Sequence, residues 1–343
     1  MAQGRASIRD VAERAGVSVS TVSRILNGSY SPAPKTRDRV MRAVQELSYV
    51  ANPHARALIR QESTTVAMVL RMLDDGFLLK VVQSIAAELA AAGRLCLIGT
   101  TGVDAERELE VLEQMRGQGV QSIILIGAVV ETEEYRDFLG RFAASLSGSG
   151  TRLVLCARPP IDEAPGTSVV EYDNEGGAYA ATSHLLVQGH RRILHLGGPE
   201  GQNTSLQRLA GYRRAIEALG GDADPALEAG QAWDRETGYQ RMRAVLQDGT
   251  RDFTAVATYT DNVAAGAIQA IREAGLRVPE DLSIIGFDDA AFAADLRLST
   301  VHIPAQQLGQ IAAQMATGER NADTRLKLGT HLVLRESVTR RTT

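Results

Sequence analysis

The residues of this sequence best suited to bind a charged partner are the lysines and arginines of its first sixty positions. Ten basic residues stand there against four acidic ones, which gives residues 1–60 a net charge of +6 and the rest of the 343-residue chain −10. Basic side chains neutralise phosphates and so drive nucleic-acid affinity. The division predicts a polyanion as the partner of the amino-terminal part alone, although a solvated basic face would have the same composition.

Residues that could catalyse a reaction or hold a metal ion form no recognisable centre. The sequence has no phosphate-binding Gly loop, Gly-x-Gly-x-x-Gly fingerprint, Gly-x-Ser-x-Gly elbow or His-Glu-x-x-His pair. His184, His190 and His195 lie five or six residues apart, which is not a metal-ligand spacing. Cys96 and Cys156 lie in apolar strand-like runs, so we expect buried reduced thiols, with a disulfide or metal pair as the alternative. The pattern favours a binding protein without cofactor or metal, and not an enzyme.

Three short helices are predicted to position the basic residues of the head. Ser7 and Asp10 have the spacing of a capping box, which begins the first helix. Gly16 interrupts the apolar stripe with a tight turn, and a second helix begins at Ser18. A third helix opens at Pro34, which suits a first-turn position. Two short helices joined by a glycine turn are typical of a helix-turn-helix, here completed by a third helix into an all-α head.

The same stretch resembles the head of the lactose-repressor (LacI) family. Its matching residues are Ile8-Arg9-Asp10-Val11-Ala12, Ala15-Gly16-Val17-Ser18, Thr21-Val22-Ser23-Arg24, Asn27-Gly28, Lys35-Thr36-Arg37 and Glu46-Leu47-x-Tyr49. The resemblance continues through Asn52, Ala55-Arg56 and Leu58, in a segment similar to the family's hinge helix. Ala33 and Ala51 depart from the pattern, because the family usually has a capping Ser and a Pro there. We expect weaker capping and hinge entry, with DNA binding unaffected.

The family's binding mode implies a role for individual residues of the head. The second helix would lie in the major groove with Val19, Ser20 and Arg24 facing base edges, where Arg can pair with guanine and Val can contact a thymine methyl. Leu58 would enter the minor groove as a wedge that bends the duplex. A further set would contact backbone phosphates and fix the register. This set is Ser7, Ser18, Thr21, Asn27 and Thr36.

Beyond a polar linker, apolar runs alternate with helical stretches, as is typical of parallel α/β sheets. Strands are predicted at 66–70, 95–98, 122–126, 153–156, 168–171, 192–196, 255–258 and 282–285. Helices are predicted, among others, at 79–91, 104–116, 176–187, 208–219 and 262–273. Eight strands exceed one mononucleotide-type unit, so the pattern favours two similar lobes with a cleft between them.

Resemblance to the LacI family persists along the whole chain. It includes Asp173-Asn174, Gly189-His190-Arg191, Arg208-x-x-Gly211-Tyr212, Val278-Pro279-Glu280-Asp281 and Gly286-Phe287-Asp288-Asp289. The family's core is similar to periplasmic sugar-binding proteins, which implies an α/β core of two doubly wound lobes with ligand held between them. The chain would cross between the lobes near residues 165, 295 and 328.

These expectations give a map of the chain. A helix-turn-helix domain occupies 1–50, a hinge helix and linker 51–64, and an effector-binding and dimerisation core 65–343. Within the core, the amino-terminal lobe would comprise about 65–165 and 296–328, and the carboxy-terminal lobe about 166–295 and 329–343.

Six positions match the family's effector contacts. They are Phe77, Gln202, Thr204, Arg208, Trp233 and Asp288. Trp233 could stack on an apolar sugar face or pack as a capping aromatic at the lobe edge, and Phe77 could equally be a core residue. Arg208 is predicted to lie at the start of a helix. A cation is disfavoured there, so this arginine needs another purpose, such as ligand binding. Gln202 stands where some members have Arg, which disfavours a carboxylate or phosphate ligand.

The sequence thus predicts a sequence-specific transcriptional regulator, a repressor, that binds pseudo-palindromic operator DNA as a homodimer and responds to a sugar or sugar derivative. One helix-turn-helix covers a half-site, and the carboxyl end lacks an apolar heptad that could form a tetramer. Without a signal peptide or an apolar run of about 18–20 residues, we expect a cytoplasmic protein with no membrane contact. The alternative is a cytoplasmic sugar-binding or sugar-modifying protein of the same fold. The effector's identity and the direction of its effect stay open.

Overall fold

The computed structural model describes residues 6–26, 30, 32–49, 64–73, 76–102, 105–248, 252–321 and 324–341. Backbone contacts divide the chain into two units, Met1–Thr64 and Thr65–Thr343. Within the described ranges, no helix combines the length and apolar character that a membrane span requires.

The amino-terminal unit contains the three predicted helices, α1 (Ile8–Ala15), α2 (Val19–Leu26) and α3 (Pro34–Glu46). The capping box is present, since the Ser7 hydroxyl accepts from the Asp10 N–H and the Asp10 carboxylate accepts from the Ser7 N–H at 2.7 Å. The N–H and the hydroxyl of Ser7 both donate to the Asp10 carboxylate and lower its pKa. Gly16 has a φ of 63°, which lets the chain turn into α2 without the steric cost of a Cβ. Ala33 offers α3 no side-chain cap, as the sequence indicates.

The second unit alternates strands and helices. In chain order these are β1 (Thr65–Leu70), α4 (Gly76–Ala91), β2 (Leu95–Thr100), α5 (Ala105–Gly117), β3 (Ser122–Ile126), α6 (Glu133–Ser147), β4 (Arg152–Cys156), β5 (Ser168–Tyr172), α7 (Asn174–Val187), β6 (Ile193–Leu196), α8 (Asn203–Leu219), β7 (Glu228–Ala229), α9 (Arg235–Gln247), β8 (Ala255–Thr258), α10 (Asp261–Glu273), β9 (Ser283–Ile285), β10 (Thr300–His302), α11 (Ala305–Thr317), β11 (Arg325–Leu328) and β12 (His331–Val333). All the predicted strands are present. The sequence missed β7, β10, β11 and β12, which are only two to four residues long.

Two parallel sheets organise the unit into lobes. The sheet of the N-lobe has the order β11-β5-β4-β3-β1-β2, and the sheet of the C-lobe has the order β7-β6-β8-β9. A short antiparallel pair, β10-β12, lies beside the C-lobe sheet, to which the Ile285–Ser299 and Asp288–His302 bridges join it. Helices α4 and α11 pack together on the N-lobe, whereas α7 packs with α8 and α9 with α10 in the C-lobe. The predicted architecture of two doubly wound lobes is confirmed.

Two of the three predicted crossings are wrong in position. β5 is hydrogen-bonded between β4 and β11, so the chain leaves the N-lobe sheet after Tyr172 and not near 165. His302 pairs with Asp288 beside the C-lobe sheet, so the return follows His302 and not 295. The last crossing follows Leu328, where β11 ends. An apolar run shows that a strand exists, but its sheet depends on partners far away in the sequence. We therefore assign 65–172 and 303–328 to the N-lobe, and 173–302 and 329–341 to the C-lobe.

Candidate effector cleft and DNA-binding head

A cavity of about 150 Å³ lies where the carboxyl ends of strands from both lobes meet. Arg71, Gly127 and Ala157 directly follow β1, β3 and β4 of the N-lobe and line it. Tyr259 directly follows β8 of the C-lobe, and Asp288 comes shortly after β9. Ligands of open parallel sheets bind outside the carboxyl ends of the strands, so the cavity has the location of a ligand site.

The structure brings all six predicted effector residues to the wall of this one cavity. They are Phe77, Gln202, Thr204, Arg208, Trp233 and Asp288. Sequence reasoning missed several polar residues that line the same cavity. They are Arg71, Tyr172, Asp234, Tyr259, Thr260 and Asn262. Their signal was available, because each ends or follows a strand, or lies at the start of a helix, at this edge of the sheets.

Arg208 lies at the base of the cavity and is 3% exposed. Its Nε donates to Asn174 Oδ1 at 2.9 Å, and one terminal nitrogen donates to the backbone oxygen of Tyr259. The other terminal nitrogen donates to Tyr172 Oη at 3.2 Å and lies 3.5 Å from Asp288 Oδ1. The guanidinium is therefore oriented by four acceptors of the protein itself.

The charge of Arg208 is stabilised in spite of burial. Burial by itself would lower the pKa of Arg208, but the oxygens of Tyr172 and Asp288 raise it above its usual value. The guanidinium carbon also lies 3.8 Å from the ring centre of Phe287, a favourable cation–π arrangement. Arg208 is in the second turn of α8 and not at its start as predicted, since the helix begins at Asn203. The unfavourable helix-terminus position that the sequence suggested is absent.

Two residues of the cavity wall hold backbone angles that favour glycine. Asp288 has a φ of 112° and Ala157 a φ of 58°. The backbone N–H of Asp288 donates to Val301 at 2.8 Å, and that of Ala157 donates to Val170 at 2.8 Å. Strained angles of this kind persist only where the surroundings fix them, and they concentrate at ligand sites.

The start of α8 supplies further polar groups. Gln202 and Thr204 are both buried, at 3% and 5% exposure. Gln202 Oε1 accepts a hydrogen bond from the Tyr259 hydroxyl at 2.7 Å. The backbone N–H of Thr204 donates to the side chain of Asn203 at 2.8 Å. The polar side of the cavity is thus preorganised by contacts within the C-lobe.

The two aromatic candidates occupy different environments. Phe77 is buried and packs edge-on against Tyr172, with ring centres 5.4 Å apart, so it is both a core residue and part of the cavity wall. Trp233 is 42% exposed beside the cavity. Its backbone N–H donates to the Thr237 hydroxyl at 3.0 Å, and Asp234 caps the following helix α9. The backbone of Trp233 is held while its indole faces solvent, which suits a stacking platform.

The cysteines and histidines named in the sequence lie away from this wall. Both cysteines are unpaired; Cys156 is buried, but Cys96 is only partly buried because β2 is the edge strand of its sheet. His190 contacts the Thr254 hydroxyl at 2.8 Å and the backbone oxygen of Thr339 at 3.1 Å. It therefore joins the turn after α7 to the carboxyl end of the chain.

In the head, the predicted base-contacting residues of α2 are all exposed. Val19 is 41% exposed, and Ser20 and Arg24 are also exposed, whereas Val22 on the opposite face is fully buried. Arg24 Nε donates to the backbone oxygen of Ser20 at 3.4 Å, and its guanidinium lies 5.5 Å from the ring centre of Tyr30. The surface of α2 is available to a partner.

The predicted phosphate contacts lie around the same helix-turn-helix. Ser18 Oγ lies 2.8 Å from Thr21 Oγ1 and accepts from the Thr21 N–H at 3.2 Å, so Ser18 caps α2. Ser7 is exposed at the start of α1, and Thr36 is partly buried in α3. Asn27 and Leu58 lie outside the described residues, as does the whole predicted hinge helix, and their roles stay predictions.

A helix-turn-helix head followed by a two-lobed α/β core defines a class of regulatory protein, and comparisons with known proteins agree with it. Residues 7–52 match the family described as bacterial regulatory proteins, lacI family, and residues 182–338 match a periplasmic binding protein-like domain. The chain is 33% identical to the HTH-type transcriptional regulator CelR of Thermobifida fusca, over 97% of this chain and 98% of the relative. It is also 33% identical to the HTH-type transcriptional regulator GalR of Escherichia coli (strain K12), over 91% of this chain and 88% of the relative.

Solved structures show the same likeness. A complex of the transcriptional regulator CelR with cellobiose has a TM-score of 0.70 and 31% identity, covering 97% of this chain and 100% of that chain. A lac repressor dimer bound to operator and the anti-inducer ONPF has a TM-score of 0.81 and 25% identity, covering 97% of this chain and 99% of that chain. The chain belongs to the lacI family of bacterial regulatory proteins and is a transcriptional regulator.

Proposed function

We propose that this regulator is a repressor that binds pseudo-palindromic operator DNA as a homodimer and changes its operator affinity when a neutral sugar binds between the lobes. The observation that carries the proposal is the charge balance of the cavity. Among the described residues that line it, the buried cation Arg208 is already paired with Asp288, and one further cation, Arg71, is balanced by one further anion, Asp234. A neutral ligand rich in hydroxyls fits such a wall better than an anion.

The donors of Arg208 support the choice of a neutral ligand. A carboxylate or phosphate is best bound by a guanidinium that directs a pair of N–H groups at it. Arg208 directs four of its five N–H groups at acceptors of the protein, so an anion bound through a pair of N–H groups would have to displace at least one of them. A sugar hydroxyl can instead donate to Asp288 and accept from Thr204 or Asn262. The complex of the relative CelR with cellobiose is a precedent for a sugar in this fold.

Support for DNA binding comes from the head. A helix-turn-helix places its second helix in the major groove, and the exposed face of α2 carries Val19, Ser20 and Arg24. The lac repressor relative is described as bound to operator. We extend the same role to this chain, with Leu58 and Asn27 as further contacts that rest on the family resemblance. The protein would act through DNA occupancy and would catalyse no reaction.

Support for a homodimer comes from the edge of the N-lobe sheet. Among the described strands, β2 pairs only with β1, and it exposes Leu95 at 62%, Leu97 at 36% and Ile98 at 46%. Exposed apolar edge strands are avoided in monomers because they invite association. A second copy of the chain would cover this edge, and a two-fold operator requires two heads. The lac repressor relative forms a dimer on its operator.

Operator recognition can be tested on the full-length chain. We would select duplexes from a random pool and measure their binding by fluorescence anisotropy. Arg24→Ala should cost about 1–3 kcal/mol on the selected duplex and leave affinity for unrelated duplexes nearly unchanged, because one bidentate base contact is lost. Arg42→Ala removes an exposed arginine from α3 and serves as the matched control. Equal losses for both variants on selected and unrelated duplexes would contradict the assignment of α2.

Dimerisation can be tested by placing charges on the edge strand. The double variant Leu95→Asp with Ile98→Asp should sediment as a monomer and bind the selected duplex at least about 100-fold more weakly, since each head would bind its half-site alone. Val187→Asp is the control, because Val187 is 73% exposed and lies in the C-lobe. A double variant that remains dimeric would show that this edge is not the interface.

Effector class can be tested with the single tryptophan. Trp233 fluorescence would be titrated with neutral mono- and disaccharides, including cellobiose, and with sugar acids and sugar phosphates. A saturable response to a neutral sugar is expected, together with a shift in operator affinity. A response restricted to the anionic compounds would overturn the charge-balance argument.

A further inference from the structure

A cluster of buried polar side chains lies directly behind the N-lobe wall of the cavity. Arg158 lies two residues after the end of β4, Glu108 lies in α5 and Tyr135 lies in α6. The side chains of Arg158 and Glu108 are only 1% and 4% exposed, and Tyr135 is 2% exposed. Three separate elements therefore converge on one ion pair in the interior of the lobe.

The cluster satisfies its own charges. Two nitrogens of Arg158 donate to the two oxygens of Glu108 at 3.0 and 3.3 Å, and the Tyr135 hydroxyl donates to Glu108 at 2.5 Å. Burial alone would raise the pKa of Glu108, but the charge of Arg158 and these hydrogen bonds hold it below its usual value. Both partners are therefore ionised in the folded protein.

Stability does not by itself explain such a cluster. Taking two charges out of water costs about as much as their attraction returns, so apolar residues of the same volume would serve as well. What apolar residues cannot supply is the Nε of Arg158, which donates to the backbone oxygen of Gly127 at 2.8 Å. Gly127 lines the cavity and has a φ of 89°. The ion pair thus orients the guanidinium so that its Nε hydrogen-bonds to the backbone of the cavity wall.

The segment that begins at Gly127 also reaches the other lobe. The backbone N–H of Asn203 in the C-lobe donates to the backbone oxygen of Val129 at 3.1 Å. The side chain of Asn203 donates to Glu131 Oε1 at 2.8 Å, and Val130 pairs with Gln202 in an isolated antiparallel bridge. Residues 127–131 therefore connect the buried cluster to the start of α8, where Gln202 lines the cavity.

We propose that Arg158 is a positioning residue: together with Glu108 and Tyr135 it fixes residues 127–131 in the conformation that contacts Asn203, and so sets how readily the two lobes close on the effector. The inference rests on the proposed function, in which an effector binds between the lobes and the lobes close on it. The contacts it concerns belong to the chain itself and can be measured without a ligand.

The backbone amide of Asn203 reports this contact, because it donates across the cleft to Val129. Hydrogen exchange of this amide would be measured on the full-length protein without added sugar. Arg158→Lys keeps the charge but cannot bind Glu108 through two nitrogens and donate to Gly127 together. It should speed exchange at Asn203 about tenfold or more, with amides of β3 little changed. The double variant Glu108→Leu with Arg158→Met removes both charges, keeps the lobe packed and should show the same selective increase.

Arg192→Lys is the matched control, since Arg192 pairs with Asp222, Asp224 and Asp252 on the C-lobe surface, and it should leave exchange at Asn203 unchanged. Unaltered exchange at Asn203 in both test variants would overturn the proposal. An equal rise at Asn203 and throughout β3 would also overturn it, because it would show a merely structural role. If the unmodified protein binds no sugar, the proposed function is contradicted but the exchange result still stands. The two failures are therefore distinguishable.

Discussion

The two lobes present opposite surfaces to the cavity they share. The N-lobe wall is mostly small or apolar, and its residues include Phe77, Leu78, Gly127, Ala128 and Ala157. The C-lobe wall is mostly polar, and its residues include Gln202, Thr204, Arg208, Asn262 and Asp288. Hydrogen bonds give orientation and specificity, whereas an apolar wall contributes by excluding water. Under the proposed function, we therefore expect the C-lobe to recognise the ligand and the N-lobe to close over it.

The same contrast continues beneath each wall. The N-lobe buries ionised groups, Arg158 and Glu108, and pairs them completely. The C-lobe buries His195, whose Nδ1 has no hydrogen-bond partner among the described residues and whose ring stacks on Tyr212 with centres 4.9 Å apart. Burial lowers the pKa of His195 to about 4. The Arg158–Glu108 pair of the N-lobe is thus ionised, whereas the C-lobe, besides its paired cation Arg208, buries a histidine that is neutral.

Removing the central cation should break the polar wall most severely. Arg208→Met deletes the group that orients Asp288 and Tyr172 and removes the guanidinium charge beside the Asp288 carboxylate, so sugar affinity should fall at least about 100-fold. Isothermal titration calorimetry with the sugar identified by the Trp233 response measures this loss. Arg213→Met is the control on the same helix, because Arg213 is largely exposed and paired with Glu228. Similar losses in both variants would mean that Arg208 has no special place in recognition.

Because the C-lobe buries His195, we expect its protonation to make the stability of the protein depend on pH. The folded protein keeps His195 neutral down to about pH 4, whereas the unfolded chain binds a proton below about pH 6.5. The unmodified protein therefore loses stability from this group as pH falls through that window, by about 2 kcal/mol between pH 8 and pH 5. His195→Gln should lack this loss.

Urea unfolding of both proteins at pH 8 and pH 5 checks the histidine prediction. The free-energy difference between the variant and the unmodified protein should shift in favour of the variant at pH 5. Because the comparison is a difference, titration of other groups cancels. A difference that does not change with pH would show that the pKa of His195 is the same in the folded and unfolded chains.

Shortening the apolar wall should have a smaller effect on binding. Phe77→Ala removes apolar contact area but no hydrogen-bonding group, so sugar affinity should fall about tenfold. Phe77→Leu keeps most of the volume and should stay within about threefold of the unmodified protein. Calorimetry on both variants measures the losses. A larger loss for Phe77→Ala than for Arg208→Met would reverse the roles assigned to the two lobes.

Sequence reasoning predicted what depends on local pattern. The capping box at Ser7 follows from short-range spacing, and each predicted strand follows from an apolar run. The cavity residues Gln202 and Asp288 were predicted from the resemblance to the LacI family. Sequence reasoning failed where residues distant along the chain determine the pairing of strands, since the sheet that β5 joins depends on β11, about 150 residues away. The pairing of Glu108 with Arg158 across 50 residues left no local signal, because each is an ordinary charged residue in its own segment.

We propose that a neutral sugar in the cleft controls operator affinity through the polar wall of the C-lobe. The most direct measurement is the dissociation constant for the selected operator, with and without saturating sugar, for the unmodified protein and for Asp288→Asn. We predict that the dissociation constant shifts about tenfold or more in the unmodified protein and much less in the variant at the same sugar concentration. No shift in the unmodified protein, or equal shifts in both, would contradict it.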